Sequence, residues 1–179
     1  ICGIIPWTWF TTVISQGTTC ITNNANLIKK VYFPREILPI SIVTSGLINF
    51  LISCVIILIF VLIGGCGISW HLIFLPFIAL IQYIISLAII FLLSAFNVYV
   101  KDVEYMVTFI INLFFYATPV LYSTEMFQGS WMIWLFRLNP MAHLINAYRD
   151  IFYVHRIPQL GNLAILLFAG VVALIICYK

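Results

Sequence analysis

Charge is what this chain has least of. Eight Lys and Arg and five Asp and Glu make up only 7% of its 179 residues, against roughly a quarter in a soluble globular domain. None falls before Lys29, between Ile37 and Val100, or between Gly161 and Tyr178. With 64% hydrophobic residues there is too little polar surface to clothe a globule in water, so a soluble fold is excluded and an integral membrane protein is implied. A net charge of +3, scattered along the chain, excludes the dense basic surface that holds nucleic acid. A phosphate-binding loop is also lacking: its glycine-rich turn closes on Gly-Lys-Ser/Thr, and none of Lys29, Lys30, Lys101 and Lys179 follows a glycine. Nucleotide chemistry would have to come from a partner. Cys2, Cys20, Cys54, Cys66 and Cys177 form no CxxC pair and read as small buried hydrophobes rather than disulfides or metal ligands. No secretory signal pattern is visible. The absence of fixed charge inside the apolar runs argues against a proton- or sodium-coupled carrier.

The charge that exists comes in islands. The densest, NLIKKVYFPREILP from Asn26 to Pro39, holds Lys29, Lys30, Arg35 and Glu36. Asn26, Leu27, Ile28, Val31, Tyr32 and Phe33 alternate with the basic residues in a helical pattern, and Pro34 stops that helix at or before Phe33. The pattern predicts a short amphipathic helix over about 22–34 that a soluble partner could grip. Lys and Arg are retained on the cytoplasmic side of membranes, which places the island in the cytosol. The 64 residues from Ile37 to Val100 would make one helix roughly three times the thickness of a hydrocarbon core, so they must turn back. The break is Gly64-Gly65-Cys66-Gly67, and Pro39 and Pro76 suit the opening turns of the two helices.

The predicted fold is all-α: a single transmembrane domain, a polytopic helix bundle with spans at about 1–19, 38–63, 72–97, 106–122 and 161–178. Trp7 and Trp9 in the first span read as an interfacial aromatic belt. A second cytoplasmic island, VYVKDVEY, carries Lys101, Asp102 and Glu104. The span after it is short and broken by Pro119, and an interrupted membrane helix points to function. Residues 123–157 are too polar to span and too aromatic for a free loop, which suggests helices that dip into the outer leaflet and return. Within them Asn139 supplies a helix cap and Pro140 a first helical residue. Met141, Leu144, Ile145, Tyr148, Ile151 and Phe152 then share one face, with His143, Asn146 and Asp150 on the other. Five Lys and Arg on the cytoplasmic side against three outside agree with this topology.

Several residue sets could carry chemistry. Asp102 and Glu104 have the spacing of a divalent-cation site for a sugar diphosphate, but they lack further ligands nearby except Glu36, so a solvated gate-end turn is the expectation. Ser45, Asn49 and Ser53, then Gln82 and Ser86, then Thr108, Asn112 and Tyr116 fall on helix faces. They either hydrogen-bond helices together or wall a pathway for a hydrated sugar chain, with Tyr83, Phe115 and Tyr116 as stacking platforms. Asn139-Pro140-Met141 has the form of a water-channel half-helix, but that motif works in facing pairs and occurs once here. Arg149 either pairs with Asp150 or meets a lipid-carrier phosphate at the outer surface.

The order of parts, PWTWF, NNANLIKKVYFPREILP, VYVKDVEYM, ATPVLY and LNPMAHLINAYRDIFY, resembles the permease subunit of bacterial type-2 ABC exporters of polysaccharide and polyol phosphate, the group that exports O-antigen, capsule and teichoic acid. The resemblance covers nearly the whole chain. It implies a multi-pass protein of the bacterial cytoplasmic membrane that forms a homodimer and passes a lipid-linked glycan. It also implies two cognate ATPase subunits that use ATP and Mg, this chain itself holding no cofactor and no metal. The segment Asn26, Leu27, Lys29, Lys30, Tyr32, Phe33, Pro34, Arg35 and Glu36 looks like that family's coupling helix, and the segment from Ser123 to His155, with Asn139, Pro140, Arg149 and Asp150, like its outer re-entrant helices. Family members also begin with an interface helix and one further span, so the expectation is an N-terminally truncated chain with five of six spans. The alternatives are a type-2 permease for a drug or lipid, a membrane-embedded glycan-processing enzyme built on Asp102 and Glu104, and a truncated remnant.

Overall fold

A computed structural model describes residues 3–25, 34, 36–63, 70–118, 139–154 and 158–178, and every element in them is helical. In order these are α1 (Ile4–Thr18), the single turn α2 (Cys20–Asn23), α3 (Ile37–Ile63), a 3-10 turn (Trp70–Phe74), α4 (Leu75–Tyr99), α5 (Val103–Ala117), α6 (Pro140–Arg149), a π-helical turn (Asp150–Val154) and α7 (Leu160–Tyr178). The cytoplasmic helix expected over 22–34 falls largely outside the described residues, as do the Gly64–Gly67 break and residues 123–138. Pro34 and Glu36 are described, and both are exposed.

The helix ends follow local chemistry. Pro76 occupies the opening positions of α4, where a missing N–H costs nothing, and the 3-10 turn ahead of it delays the helix to Leu75. Asn139 caps α6 by accepting the Met141 N–H at 3.0 Å, as its type and position predict. Thr118 closes α5 in an extended conformation, φ −112° and ψ 134°, because a residue before proline is sterically driven out of the helical region. Thus α5 ends at Ala117, short of the expected 122. It also starts at Val103, earlier than expected. The second charged island is therefore a tight turn of Val100 to Asp102, bonded from the Val103 N–H to the Val100 carbonyl at 3.2 Å. Glu104 lies in the first helical turn of α5, where a negative charge meets the positive end of the helix dipole.

α4 is the hub, packed against every other described α-helix. Ile78, Ile81 and Ile90 on it are completely enclosed. α1 and α3 approach closely at Gly46, where an added Cβ would collide with Val13 and with the Trp9 indole nitrogen. Small residues at helix crossings serve that purpose in membranes. Trp7 and Trp9 are only 5% exposed. This corrects the aromatic-belt expectation: both rings point into the bundle, Trp9 stacking on Phe50 at 4.6 Å between centroids.

The outward faces remain apolar. Ile48, Ile52, Val55, Ile56 and Ile59 on α3, Phe109 and Leu113 on α5, and Ile165, Phe168 and Ile176 on α7 are all exposed, a surface suited to lipid and not to water. Among the described residues two helical stretches, Ile37–Ile59 and Leu72–Tyr99, are long and apolar enough to cross a membrane, each with mean hydropathy 2.5. α1 and α5, at 15 residues each, reach about 22 Å.

Candidate functional site: the cleft between α1 and α5

α1 and α5 run antiparallel and part to leave a half-open cleft of about 330 Å³, lined by Trp7, Thr8, Thr11, Ile111, Asn112, Phe115 and Tyr116. Its aromatic side is continuous. Trp7 lies 5.9 Å from Phe10 and 5.8 Å from Phe115, and Phe115 meets Tyr116 edge-on at 5.7 Å. Hydroxyl and amide groups of both helices line the cleft beside these rings. Thr8 and Thr11 donate to the carbonyls of Ile5 and Thr8 on their own helix, at 2.9 and 3.1 Å, which leaves their oxygen lone pairs as acceptors toward the cleft. Asn112 is exposed at its rim. No cleft residue carries a formal charge, so the surface offers ring faces and neutral hydrogen-bonding groups together.

Of the six pathway candidates, three meet here: Asn112, Phe115 and Tyr116. The other three go elsewhere. Asn49 is exposed on α3. The Tyr83 hydroxyl pairs with the Thr44 hydroxyl at 3.1 Å, joining α4 to α3. Gln82 is completely buried and its amide donates to the Pro6 carbonyl at 2.9 Å, so it holds α1 against α4 and faces no open space. Ser86 is likewise enclosed.

At the other charged sites, Lys101, Asp102 and Glu104 are all exposed at the α4–α5 turn. Among the described residues no three His, Cys, Asp or Glu come close enough to hold a metal ion, so the cation-site reading finds no third ligand there. On α6, Met141, Leu144, Ile145 and Tyr148 are buried, followed by Ile151 and Phe152, while His143, Asn146, Arg149 and Asp150 are half-exposed. The two faces separate as the spacing predicts. Asn139 does more than cap: its amide donates to the Thr118 hydroxyl at 2.8 Å, and Thr118 is fully buried.

Sequence reading missed Trp7, Thr8, Thr11 and Thr118. The dense aromatic and hydroxyl run PWTWFTT was one signal, and the Thr-Pro step that ends α5 was another. Neither says which helix would face α1.

Two helices of membrane length, shorter apolar helices packed on one of them and an outward surface of exposed apolar side chains are the features of a membrane protein domain. The chain belongs to the ABC-2 type transporter family, whose sequence pattern matches residues 1–153. It is similar to an O-antigen export system permease protein RfbA of Myxococcus xanthus, 37% identical over 96% of this chain and 66% of that protein. It is also similar to two proteins of that name from Klebsiella pneumoniae, 31% identical over 98% of this chain and 34% identical over 85%. The chain spans about two thirds of the length of the first two relatives, 66% and 68%, and 59% of the third.

Proposed function

We propose that this chain is the permease subunit of an ABC exporter that moves a lipid-linked polysaccharide or polyol-phosphate polymer across the bacterial cytoplasmic membrane. ATP is hydrolysed with Mg in a cognate ATPase subunit, and a second permease copy completes a homodimer. The names of the relatives support a glycan cargo, and the observation that carries the reading is the α1–α5 cleft. A sugar ring presents C–H groups on one face and hydroxyls around its edge. Phe115 and Tyr116, backed by Trp7, suit the face, because the negative ring face attracts polarised C–H groups, while Thr8, Thr11 and Asn112 suit the edge. Neutral groups bind weakly enough to let a polymer move on, as conduction requires.

In this reading α1, α3, α4, α5 and α7 are five spans, residues 26–36 dock on the ATPase through Tyr32 and Phe33, Lys101 to Glu104 form a cytoplasmic gate-end turn, and α6 lies in the outer leaflet.

The test uses the full-length permease and its ATPase in cells lacking the native pair, measuring glycan at the cell surface. The double variant Phe115→Leu and Tyr116→Leu should cut export about tenfold or more, as expected from losing two stacking rings each worth about 1 kcal/mol, while the ATPase still co-purifies. Undiminished export by that variant sinks the cleft as the cargo path. Tyr32→Ala with Phe33→Ala should release or uncouple the ATPase, and intact coupling would remove the docking assignment.

A further inference from the structure

The cleft is tied at one end by two buried amides, one bonded to each wall. On the α1 wall, the Gln82 amide donates to the carbonyl of Pro6, the residue directly before Trp7. On the α5 wall, the Asn139 amide donates to the hydroxyl of Thr118, three residues after Phe115. Because Trp7 meets Phe115 at 5.8 Å between centroids, the two ties sit at the same end of the cleft, next to that ring pair. Both amides come from outside the cleft: Gln82 from the hub α4, Asn139 from the start of α6. All four groups are enclosed; Gln82 and Thr118 are completely buried, Asn139 is 6% exposed, and Pro6 is buried.

The ties have different strengths in reserve. Asn139 uses both ends of its amide, the oxygen on the Met141 N–H and the nitrogen on Thr118, so any turn of α6 is carried to the end of α5. The Gln82 oxygen has no hydrogen-bond partner among the described residues, so the bond to Pro6 alone holds that amide. Water does not compete for either bond at such burial, and a broken one leaves a buried polar group unsatisfied.

Resting on the cleft as the cargo path, we propose that Gln82 and Asn139 are positioning residues that set the separation of Trp7 and Phe115, and so the width the cleft offers a sugar ring. Gln82 fixes the α1 wall to the hub. Asn139, through Thr118, makes the α5 wall follow α6, so that a shift of α6 widens or narrows the cleft.

The experiment reads the cleft without any glycan. Thr11→Cys is placed in the full-length permease with its ATPase in lipid nanodiscs, and its modification by a small methanethiosulfonate reagent is timed peptide by peptide. The native Cys20 and Cys54, both buried, report the rest of the bundle in the same sample. Thr118→Val, which keeps the shape and leaves the Asn139 cap intact, should raise the Thr11→Cys rate about tenfold, the factor one such bond is worth. Gln82→Met should do the same, and should it fail to accumulate, Gln82→Asn, whose amide is one carbon short of Pro6, takes its place. Thr118→Ser, which keeps a hydroxyl, should leave the rate at the value measured with Thr118 in place. Cys20 and Cys54 should not change in any variant.

An unchanged Thr11→Cys rate in Thr118→Val or in the Gln82 variant overturns the proposal for that wall. A parallel rise at Cys20 and Cys54 also overturns it, since the bonds would then hold the fold in general. Glycan export enters none of these readings, so loss of the glycan assignment and loss of the positioning assignment are separate results.

Discussion

α3 and α4 are the two described helices long and apolar enough to cross a membrane, equal in mean hydropathy at 2.5, yet 56% of the most apolar stretch in α4 is buried and only 22% of that in α3. Hydropathy did not decide which became the hub. The difference lies in where the polar groups go. Gln82, Ser86, Ser94 and Asn97 of α4 are all buried, and the two amides reach neighbours, Gln82 the Pro6 carbonyl of α1 and Asn97 the Thr22 hydroxyl at 3.3 Å, while Ser94 bonds back to the Phe91 carbonyl at 3.2 Å. On α3, Ser45 and Asn49 are exposed, Ser41 and Ser53 bond to carbonyls of their own helix at 2.8 and 2.9 Å, and only Thr44, besides its own-helix bond to Ile40 at 2.8 Å, reaches across to Tyr83. In hydrocarbon a polar side chain that reaches another helix joins the two, and one that bonds back to its own backbone leaves its helix free to face lipid.

Mutations can break or sharpen this contrast, beginning with the core. Ile78→Ala on α4 removes a fully enclosed side chain and should lower stability by about 2–4 kcal/mol. Ile52→Ala on α3, 56% exposed, should fall within about 0.5 kcal/mol. Thermal unfolding of the full-length protein in detergent compares the pair, and equal losses would mean that α3 is covered in the assembly.

The glycines come next. Gly46→Leu forces a side chain onto Val13 and the Trp9 indole, whose nitrogen lies 2.7 Å from the added Cβ, and should cost about 1–3 kcal/mol. Gly161→Ala in the first turn of α7 meets nothing within 4 Å and should gain about 0.5 kcal/mol from helix propensity. A harmless Gly46→Leu would show that α1 and α3 are not in close contact.

Smaller still, Gln82→Leu should cost about 0.6–1.7 kcal/mol, the worth of one interhelical hydrogen bond in a membrane protein. Asn49→Leu should be neutral or stabilising in the same unfolding assay; a cost matching that of Gln82→Leu would place another helix over the α3 face. The last effect is chemical. Burial pushes the Cys20 thiol of α2 up to about 11, so it stays protonated and its labelling by maleimide should remain slow to pH 9. A labelling rate that climbs steeply from pH 7 to 9 would show an exposed thiol at the end of α1.

Much of the scaffold was legible in the residues. α3 begins at Ile37 and α7 ends at Tyr178, where charge-free runs begin and end. Asn139-Pro140 announced its cap, and the alternation of Met141, Leu144, Ile145 and Tyr148 announced the buried face of α6. The ends of α5 were misread for a local reason: Pro119 acts on the residue before it, and the charged turn was short enough to leave Glu104 helical. The site was half legible. Asn112, Phe115 and Tyr116 share a face by spacing alone, but their partners Trp7, Thr8 and Thr11 lie about a hundred residues away in sequence. Tryptophans near a chain of apolar residues suit a lipid interface and a bundle interior equally well.

The sequence by itself determined the environment and the units: a chain too poor in charge for water, cut by its islands, prolines and glycines into helices, and a member of its family by the order of those parts. Which helix became the hub, and that Gln82 ties two helices while Asn112 lines a cleft, only the tertiary structure decided. An amide carries the same chemistry in either place, and its role depends on what the opposing helix sets against it.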